Sequence, residues 1–258
     1  MRIARFAKGD ELAFGVVDGA AGEEHVTEIN GHPFQPSFEL TGAQLPLADV
    51  RLVAPILPTK ILGIGRNYAE HAAELGNEVP EEPLVFLKPS TSVVGPGEPV
   101  VYPAASGEVH HEAELAVVIG RVCRQVPRER VPEVIFGYTC ANDVTARDLQ
   151  RREPQWARAK GFDSFCPLGP WIETEVDASD LAVTCTVDDE LRQSARTSLM
   201  IHDIAAQVSY ITEAMTLLPG DVILTGTPAG VGPLLPGQRV SVTIERIGTL
   251  TNPVVAAG

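Results

Sequence analysis

Short blocks in which apolar and polar residues alternate run along most of this 258-residue chain, and glycine or proline separates them. Side chains along a strand point to opposite faces in turn, so these blocks predict short β-strands. Most connections between them are too short for a crossover helix, which favours antiparallel pairing. The predicted strands lie at 2–6, 13–18, 60–65, 83–88, 114–120 and 138–143, within 181–193 and 219–232, and as two closing strands within 238–254.

Helical patterns are fewer. One is predicted over 67–76, because Asn67 suits an N-cap, Glu70 stands three residues later and Gly76 suits the stop. The other helical patterns lie at 127–138, 145–152 and, with the most regular spacing, 200–217. Because strands outnumber helices, the pattern predicts an α+β fold with a curled, largely antiparallel sheet rather than a doubly wound parallel sheet.

The character of the chain changes near residue 60. Residues 1–55 form a strand-rich stretch that glycine and proline interrupt, whereas the longer strand and helix patterns come after it. A small N-terminal domain over 1–55 and a larger domain over 56–258 are therefore predicted.

Composition narrows the possible partners and location. The formal net charge is −14, which argues against nucleic acid or an anionic membrane as partner, since both need a basic surface. No apolar run approaches the length of a membrane span, and the first residues lack the apolar core of a signal peptide. The four cysteines are widely spaced and no two of them form a CxxC motif, which indicates reduced thiols and a cytoplasmic location.

Two acids open the most apolar predicted strand. Glu112 and Glu114 are two residues apart, so they share a face of a strand, and a third acid, Asp143, ends another predicted strand. Like charges this close repel, and a cation would compensate them. Three converging carboxylates suit a hard divalent ion, either Mg²⁺, Mn²⁺ or Ca²⁺, with positions left for water and a chelating ligand.

Other interpretations of these positions stay open. Glu112 and Glu114 could line the wet face of an edge strand, and Asp143 could cap the helix that follows it. His110 and His111 could be zinc ligands, but no other His or Cys has suitable spacing, so a structural or substrate-facing role is favoured.

A histidine and a glutamate pair on the predicted helix at 67–76. His71 and Glu74 are three residues apart and therefore lie on one face. A carboxylate can orient an imidazole and raise its basicity, which suits proton transfer or activation of water. The alternative is an exposed helical pair with little effect.

Basic and polar residues follow the third acid. Arg147 and Gln150 share a helical face and Lys160 lies further on, so they could attract a carboxylate ligand that the acidic chain otherwise repels. A solvated basic helix is the alternative.

The glycine-rich stretch at 224–232 matches neither GxGxxG nor a P-loop. Gly226 and Thr227 could instead offer a backbone N–H and a hydroxyl to a carboxylate or oxyanion.

Taken in order, these motifs resemble the fumarylacetoacetate hydrolase (FAH) family. The resemblance covers about residues 58 to 253, and E-x-E followed by NDVTARD is its most specific part. The matching stretches are GIGRNYAEHAAELG, PLVFLKPSTSVVGPG, HHEAELAVVIG, GYTCANDVTARDLQ, WARAKGFDSFCPLGPW, LRQSARTSLMIHDI and LLPGDVILTGTPAGVG. Residues 1–55 resemble the short N-terminal domain of bacterial members.

The resemblance implies a mixed β-sandwich roll, usually as a homodimer, and it implies roles for these residues. Glu112, Glu114 and Asp143 match the Mg²⁺ or Mn²⁺ ligands. Arg147, Gln150 and Lys160 match positions that face the substrate or support the metal site, and Thr227 matches a threonine near the bound carboxylate. His71 and Glu74 match a His–Glu dyad. We therefore expect His71, Glu74 and Lys160 to be catalytic, and Gly226 to bind substrate together with Arg147, Gln150 and Thr227.

The resemblance also implies a reaction class. A 2-oxo acid or its enol would chelate the metal and pass through a metal-stabilised enolate. The smaller bacterial members lead to one hypothesis, a 2-hydroxyhepta-2,4-diene-1,7-dioate isomerase of aromatic-compound catabolism. The alternative is C–C bond cleavage by an acylpyruvate or fumarylpyruvate hydrolase or an oxaloacetate decarboxylase, and a non-catalytic ligand-binding scaffold is a third possibility.

Overall fold

Strands dominate the structure, a computed structural model that describes residues 1–20, 22–35 and 37–258. The first five strands form an antiparallel group in which β1 pairs with both β2 and β5. They are β1 (Arg2–Lys8), β2 (Glu11–Asp18), β3 (His25–Asn30), β4 (Glu39–Pro46) and β5 (Arg51–Val53).

The middle of the chain supplies nine strands and three short helices. The strands are β6 (Ile61–Gly65), β7 (Leu84–Lys88), β8 (Val93–Val94), β9 (Val100–Tyr102), β10 (Val109–His111), β11 (Ala113–Ile119), β12 (Ile135–Asn142), β13 (Thr145–Ala146) and β14 (Cys166–Glu173). The helices are α1 (Ala69–Glu74), α2 (Arg147–Arg152) and α3 (Ala157–Lys160).

The last third adds six strands and the longest helix. The helix is α4 (Ile204–Ala214), and the strands are β15 (Ala182–Val187), β16 (Glu190–Arg196), β17 (Val222–Leu224), β18 (Gly232–Pro233), β19 (Arg239–Ile244) and β20 (Gly248–Ala256). Short 3-10 turns lie at Leu47–Asp49, Ser90–Ser92, Arg128–Glu133 and Thr197–Leu199.

Most strands join one large sheet of order β4-β3-β2-β1-β14-β12-β11-β17-β6-β7. Its pairs are antiparallel except that β17 runs parallel to β6, and β8 runs parallel to β14 at the side. The β1–β14 pairing carries the N-terminal strands into the same sheet as the rest. The division at residue 55 stays a prediction.

A second sheet of order β16-β15-β19-β20-β9 packs against the large one. Leu115 of β11 and Cys140 of β12 meet Val183, Val242 and Leu250 of the second sheet in one buried cluster. A third, small sheet of order β13-β10-β18 lies beside the acidic residues described below. The prediction of an α+β fold built as a mixed β-sandwich roll is confirmed.

Two predicted helices differ from those observed. The segment 127–138 gives only the 3-10 turn at Arg128–Glu133, which contains Pro132, and β12 begins soon after it. Helix α1 begins at Ala69 with Tyr68 at the N-cap and no side-chain cap, so the prediction of Asn67 as N-cap is wrong.

The 200–217 pattern is confirmed as α4. Asp203 caps this helix by accepting a hydrogen bond from the Ala206 N–H at 2.7 Å. Val208 and Ile211 on its inner face pack with residues of the large sheet, including Val117. Within the described ranges, no helix is long and apolar enough to cross a bilayer.

Candidate active site

Three carboxylates converge where strand β11 begins and strand β12 ends. Glu112 stands in the break between β10 and β11, Glu114 lies in β11, and Asp143 follows β12. Pairing of Ala113 with Asn142 brings the two strands into register there, and the Asp143 N–H donates to the Glu112 carbonyl at 2.8 Å. One oxygen of each carboxylate lies within 4.8 Å of the others.

All three carboxylates are buried, with residue exposures of 4%, 2% and 0% for Glu112, Glu114 and Asp143. Strand β11 is flanked by β12 and β17, so the interpretation as the wet face of an edge strand is wrong. The capping interpretation is also wrong, because α2 has Ala146 at its N-cap and no side-chain cap.

Three cations surround two of the acids. Lys160 Nζ donates to Glu112 Oε2 at 2.8 Å, to Asp143 Oδ2 at 2.6 Å and to the Thr145 hydroxyl at 2.8 Å. Lys88 Nζ lies 2.5 Å from Asp143 Oδ1, and Arg147 Nη2 lies 2.6 Å from Glu112 Oε1. Sequence reasoning missed Lys88, whose only signal is a lysine that ends an apolar strand.

Glu114 has no cation partner among the described residues, and its one hydrogen bond comes from the Gly226 N–H at 2.7 Å. Burial raises the pKa of Glu114 well above its ordinary value, and the charges of Asp143 and Glu112 raise it further. Burial alone would also raise the pKa of Glu112, but Lys160 and Arg147 outweigh that effect and hold it below its ordinary value.

This arrangement fits a divalent metal ion. The site offers three buried carboxylates within reach of one centre, one of which lacks a positive partner. An all-oxygen donor set suits Mg²⁺ or Mn²⁺ rather than a thiolate- or imidazole-preferring ion. Within the described parts of the chain, this trio is the single acid, histidine or cysteine cluster with metal-binding spacing, so nothing supports the zinc interpretation.

The acids face a cleft of about 310 Å³. Eight of the ten site residues predicted from sequence line it, and the two that do not, Glu74 and Gly226, contact lining residues. The eight lining residues are His71, Glu112, Glu114, Asp143, Arg147, Gln150, Lys160 and Thr227. Sequence reasoning missed Arg66, Phe86 and Trp156, which also line the cleft.

Helix α1 covers one side of this cleft and presents His71 to it. His71 is only 4% exposed, and its Nδ1 lies 3.4 Å from Glu74 Oε2. The Gly230 N–H holds the Glu74 carboxylate at 3.1 Å. Burial lowers the pKa of His71, which keeps the imidazole neutral near pH 7. The interpretation as an exposed helical pair is wrong for His71.

Asn67 anchors the chain just before α1. Its side-chain NH₂ group donates to the carbonyls of His202 at 3.0 Å and Thr225 at 2.7 Å. Its oxygen accepts from the His202 N–H at 2.8 Å. The side chain therefore ties α1 to the start of α4 instead of capping its own helix.

Arg147 is aimed into the cleft from α2. It is 2% exposed, which excludes a solvated basic helix, and its Nη1 donates to Gln150 Oε1 at 2.8 Å. Within the described residues, neither its Nε nor its Nη2 has a well-aligned acceptor, although Nη2 lies close to Glu112. Buried guanidinium donors of this kind are suited to a ligand carboxylate.

Gly226 and Thr227 make contacts other than those predicted for them. The Gly226 N–H is occupied by Glu114, so Gly226 supports a candidate metal ligand and is not open to substrate. The Thr227 hydroxyl donates to the Ala113 carbonyl at 2.9 Å and accepts from Gln193 Nε2 at 2.8 Å while it lines the cleft.

The two histidines before the acids are structural in their contacts. His111 is fully buried, with Nδ1 3.0 Å from Gln193 Oε1. His110 Nε2 lies 3.2 Å from Glu108 Oε1. Neither histidine lines the cleft.

Two family profiles match the chain. The family described as fumarylacetoacetate (FAA) hydrolase C-terminal matches residues 60–255. The family described as Rv2993c-like, N-terminal, matches residues 1–55.

Similar proteins of known sequence include protein Rv2993c of Mycobacterium tuberculosis, which is 54% identical and is aligned over 100% of this chain and 99% of its own. The mitochondrial oxaloacetate decarboxylase of Dictyostelium discoideum is 42% identical over 74% of this chain and 90% of its own.

Solved structures that are similar to this chain over its full length include three with informative names. The 5-carboxymethyl-2-hydroxymuconate delta-isomerase of Mycobacterium smegmatis is 52% identical with a TM-score of 0.93, and it is covered fully. The 2-hydroxyhepta-2,4-diene-1,7-dioate isomerase of Mycobacterium marinum is 51% identical with a TM-score of 0.93, with 99% of its chain covered. The maleylpyruvate hydrolase of Sphingobium sp. SYK-6, in complex with manganese(II) and pyruvate, is 36% identical with a TM-score of 0.82 and is covered fully.

Proposed function

This chain belongs to the fumarylacetoacetate hydrolase family, and on that premise we propose a divalent-metal-dependent enzyme that converts 2-oxo or 2-enol dicarboxylic acids through an enolate. The observation that carries the proposal is the buried trio Glu112, Glu114 and Asp143, whose oxygens lie within 4.8 Å of one another beside a cleft. Isomerisation of a 2-hydroxyhepta-2,4-diene-1,7-dioate is the reaction we assign. The name of the Mycobacterium marinum neighbour supports that assignment, and the name of the Mycobacterium smegmatis neighbour supports isomerisation of a related acid.

Glu112, Glu114 and Asp143 would hold Mg²⁺ or Mn²⁺. When bound, the ion supplies Lewis-acid polarisation of the 2-oxygen and offsets the negative charge that develops there. The manganese in the maleylpyruvate hydrolase structure supports an ion of this class.

The cations of the site keep Glu112 ionised and attract the anionic substrate. Lys160 has three N–H donors, and each one contacts a protein oxygen. We therefore give Lys160 a positioning role in place of the catalytic role predicted for it. Arg147 Nε has no acceptor among the described residues, and Gln150 holds Nη1. Arg147 is therefore placed to bind the substrate carboxylate next to the 2-oxygen.

His71 is placed to move a proton at neutral pH. Its lowered pKa leaves the imidazole neutral, and Glu74 orients the ring from the solvent side. In the isomerisation, the 2-hydroxyl loses a proton and a carbon further along the chain gains one. Neutral His71 can accept the first proton and deliver the second.

C–C bond cleavage is the second candidate, and the His71–Glu74 pair favours it. A hydrolase needs a base for water, and a decarboxylase needs a proton donor for the resulting carbanion. Relatives named as an oxaloacetate decarboxylase and a maleylpyruvate hydrolase support this candidate. The carboxylate trio serves both reactions alike, so it does not separate them.

A substrate panel tests both candidates. Metal-stripped protein and its Mg²⁺- and Mn²⁺-loaded forms would be mixed with 2-hydroxyhepta-2,4-diene-1,7-dioate, fumarylpyruvate, acetylpyruvate and oxaloacetate. Metal-dependent loss of the dienol absorbance without release of pyruvate or CO₂ supports the isomerase. Metal-dependent release of pyruvate moves the assignment to cleavage. Absence of turnover on the whole panel with metal bound would favour the non-catalytic scaffold.

We further propose that the protein is a homodimer in the cytoplasm. The dimer rests on the family alone, and light scattering should give twice the mass of one chain. The location rests on four buried cysteines that are all free thiols. Cell fractionation tests it.

A further inference from the structure

Arg66 holds a backbone conformation that its residue type does not favour. Its φ is +56°, in the left-handed region that favours glycine. It lies between the end of β6 and α1, directly before Asn67, whose three side-chain hydrogen bonds hold this turn in place. A residue kept in such a conformation points to a use for its side chain.

The guanidinium of Arg66 is fixed against an aromatic wall of the cleft. It lies over the Trp156 ring at 5.8 Å from the ring centre, and Trp156 meets Phe86 edge to face at 5.6 Å. All three side chains line the same cleft as the carboxylate trio. Stacking on an aromatic face holds the guanidinium plane and leaves its edge donors available.

Two glycines of β6 make room for this wall. A Cβ at Gly63 would lie 2.1 Å from Phe86 Cζ, and a Cβ at Gly65 would lie 2.6 Å from Trp156 Cζ3. Both rings therefore sit directly on the strand backbone. The wall connects two cations of the cleft. Lys160 Nζ lies 4.8 Å from the Phe86 ring centre, Phe86 contacts Trp156, and Trp156 contacts the Arg66 guanidinium.

Among the described residues that line the cleft, Arg66 is the cation without an acidic partner. Lys160 and Arg147 pair with the acids of the site, and Arg151 pairs with Glu108. None of the ion pairs among the described residues involves Arg66. In a chain of net charge −14, a half-buried guanidinium without a carboxylate partner is a place for a ligand anion.

We propose that Arg66 binds the distal carboxylate of the substrate and thereby selects dicarboxylates over monocarboxylates of the same length. This inference rests on the proposed function, because it takes the 2-oxo acid end to lie at the carboxylate trio. The flat Phe86–Trp156 wall contacts the carbon chain between the two ends. Arg66 then fixes the length and charge of the substrate, while the carboxylate trio fixes its reacting end.

A matched pair of unreactive ligands tests the proposal directly. Calorimetric titration of the Mn²⁺-loaded protein would compare 2-oxoheptanedioate with 2-oxoheptanoate, which differ only in the terminal carboxylate. Wild-type protein should prefer the dioate by roughly tenfold to a hundredfold, the range for a charged hydrogen-bonded pair. Arg66→Gln should remove the preference and leave the affinity for 2-oxoheptanoate within about twofold.

Further variants separate binding from folding. Arg66→Gly relieves the positive φ, so it should melt no lower than wild type and still lose the preference. Arg66→Lys keeps the charge without the paired donors and should retain part of the preference. Arg124→Gln, at an exposed arginine outside the cleft, should behave as wild type.

The outcomes distinguish this inference from the proposed function. Equal affinity of wild type for the two ligands, or an undiminished preference in Arg66→Gln and Arg66→Gly, overturns the role of Arg66 and leaves the proposed function standing. Failure of both ligands to bind the Mn²⁺-loaded protein overturns the proposed function, and the role of Arg66 falls with it.

Discussion

Replacing Glu114 with glutamine should stabilise the metal-free protein, whereas the same change at Glu112 should destabilise it. The two acids are two residues apart and equally buried, but their partners differ. Glu112 contacts Lys160 and Arg147, while Glu114 receives only the Gly226 N–H. Glutamine keeps an oxygen for that N–H and removes the charge.

The size of the effect follows from the distances. The ligand atoms lie within 4.8 Å of one another, and two unit charges at that largest separation repel by about 3.5 kcal/mol at an effective dielectric constant of about 20. Lys160 offsets part of the repulsion at Glu114, so we expect Glu114→Gln to raise the free energy of unfolding by about 1–3 kcal/mol. Glu112→Gln should lower it by about 3–5 kcal/mol, because it leaves buried cations without their partner.

The pH dependence has a definite sign. The folded-state pKa of Glu114 is raised, so the metal-free wild type loses stability as pH rises above the unfolded value near 4.3. The gain from Glu114→Gln should therefore be small at pH 5 and larger at pH 8. The folded-state pKa of Glu112 is lowered, so its stabilising contribution is fully present at pH 8.

Chemical denaturation in the presence of a chelator, at pH 5 and pH 8, measures these differences. Addition of Mn²⁺ should then stabilise wild type and have little effect on either variant, because each has lost a ligand. A Glu114→Gln protein that is less stable than wild type at pH 8 would refute the argument that this carboxylate lacks compensation.

Three other predictions concern the proton-transfer pair and the aromatic wall. His71→Ala should retain Mn²⁺ binding by calorimetry and lose on the order of 10²–10⁴ in kcat; unchanged kcat would remove His71 from the chemistry. Because Glu74 raises the pKa of His71, Glu74→Gln should lower that pKa further. The acid limb of the kcat–pH profile, which we expect below pH 6.5 in wild type, should therefore move to lower pH when both proteins are saturated with metal. A shift to higher pH would contradict the pairing. Gly63→Ala should lower the free energy of unfolding by about 1–3 kcal/mol through overlap with Phe86, whereas Gly107→Ala, which meets open space, should be neutral in the same denaturation assay.

Local patterns predict strands such as β6, β7 and β11 because the side-chain period of a strand is visible in the residues themselves, but they miss others, including β3, β4 and β14. The regular apolar spacing of 200–217 predicts α4 for the same reason. The acid pair Glu112 and Glu114 stands out because charges are unexpected at the start of so apolar a strand. Its convergence with Asp143 depends on the pairing of β11 with β12. The order of the motifs along the chain suggests this pairing, and the observed register brings the acids together.

The errors arise where distant residues compete for a side chain. Asn67 looks like an N-cap, but acceptors at His202 and Thr225 take its amide. Lys88 looks like an ordinary strand end, and only the fold brings it to Asp143. The left-handed backbone of Arg66 has no sequence signature at all.

The most direct test of the central claim is the dienol absorbance of 2-hydroxyhepta-2,4-diene-1,7-dioate, recorded with metal-stripped protein before and after addition of Mg²⁺. We expect no change beyond the uncatalysed rate before the addition and rapid loss after it, with Glu114→Gln inactive in both conditions. Equal rates with and without metal, or full activity in Glu114→Gln, would contradict a metal-dependent reaction at these three carboxylates.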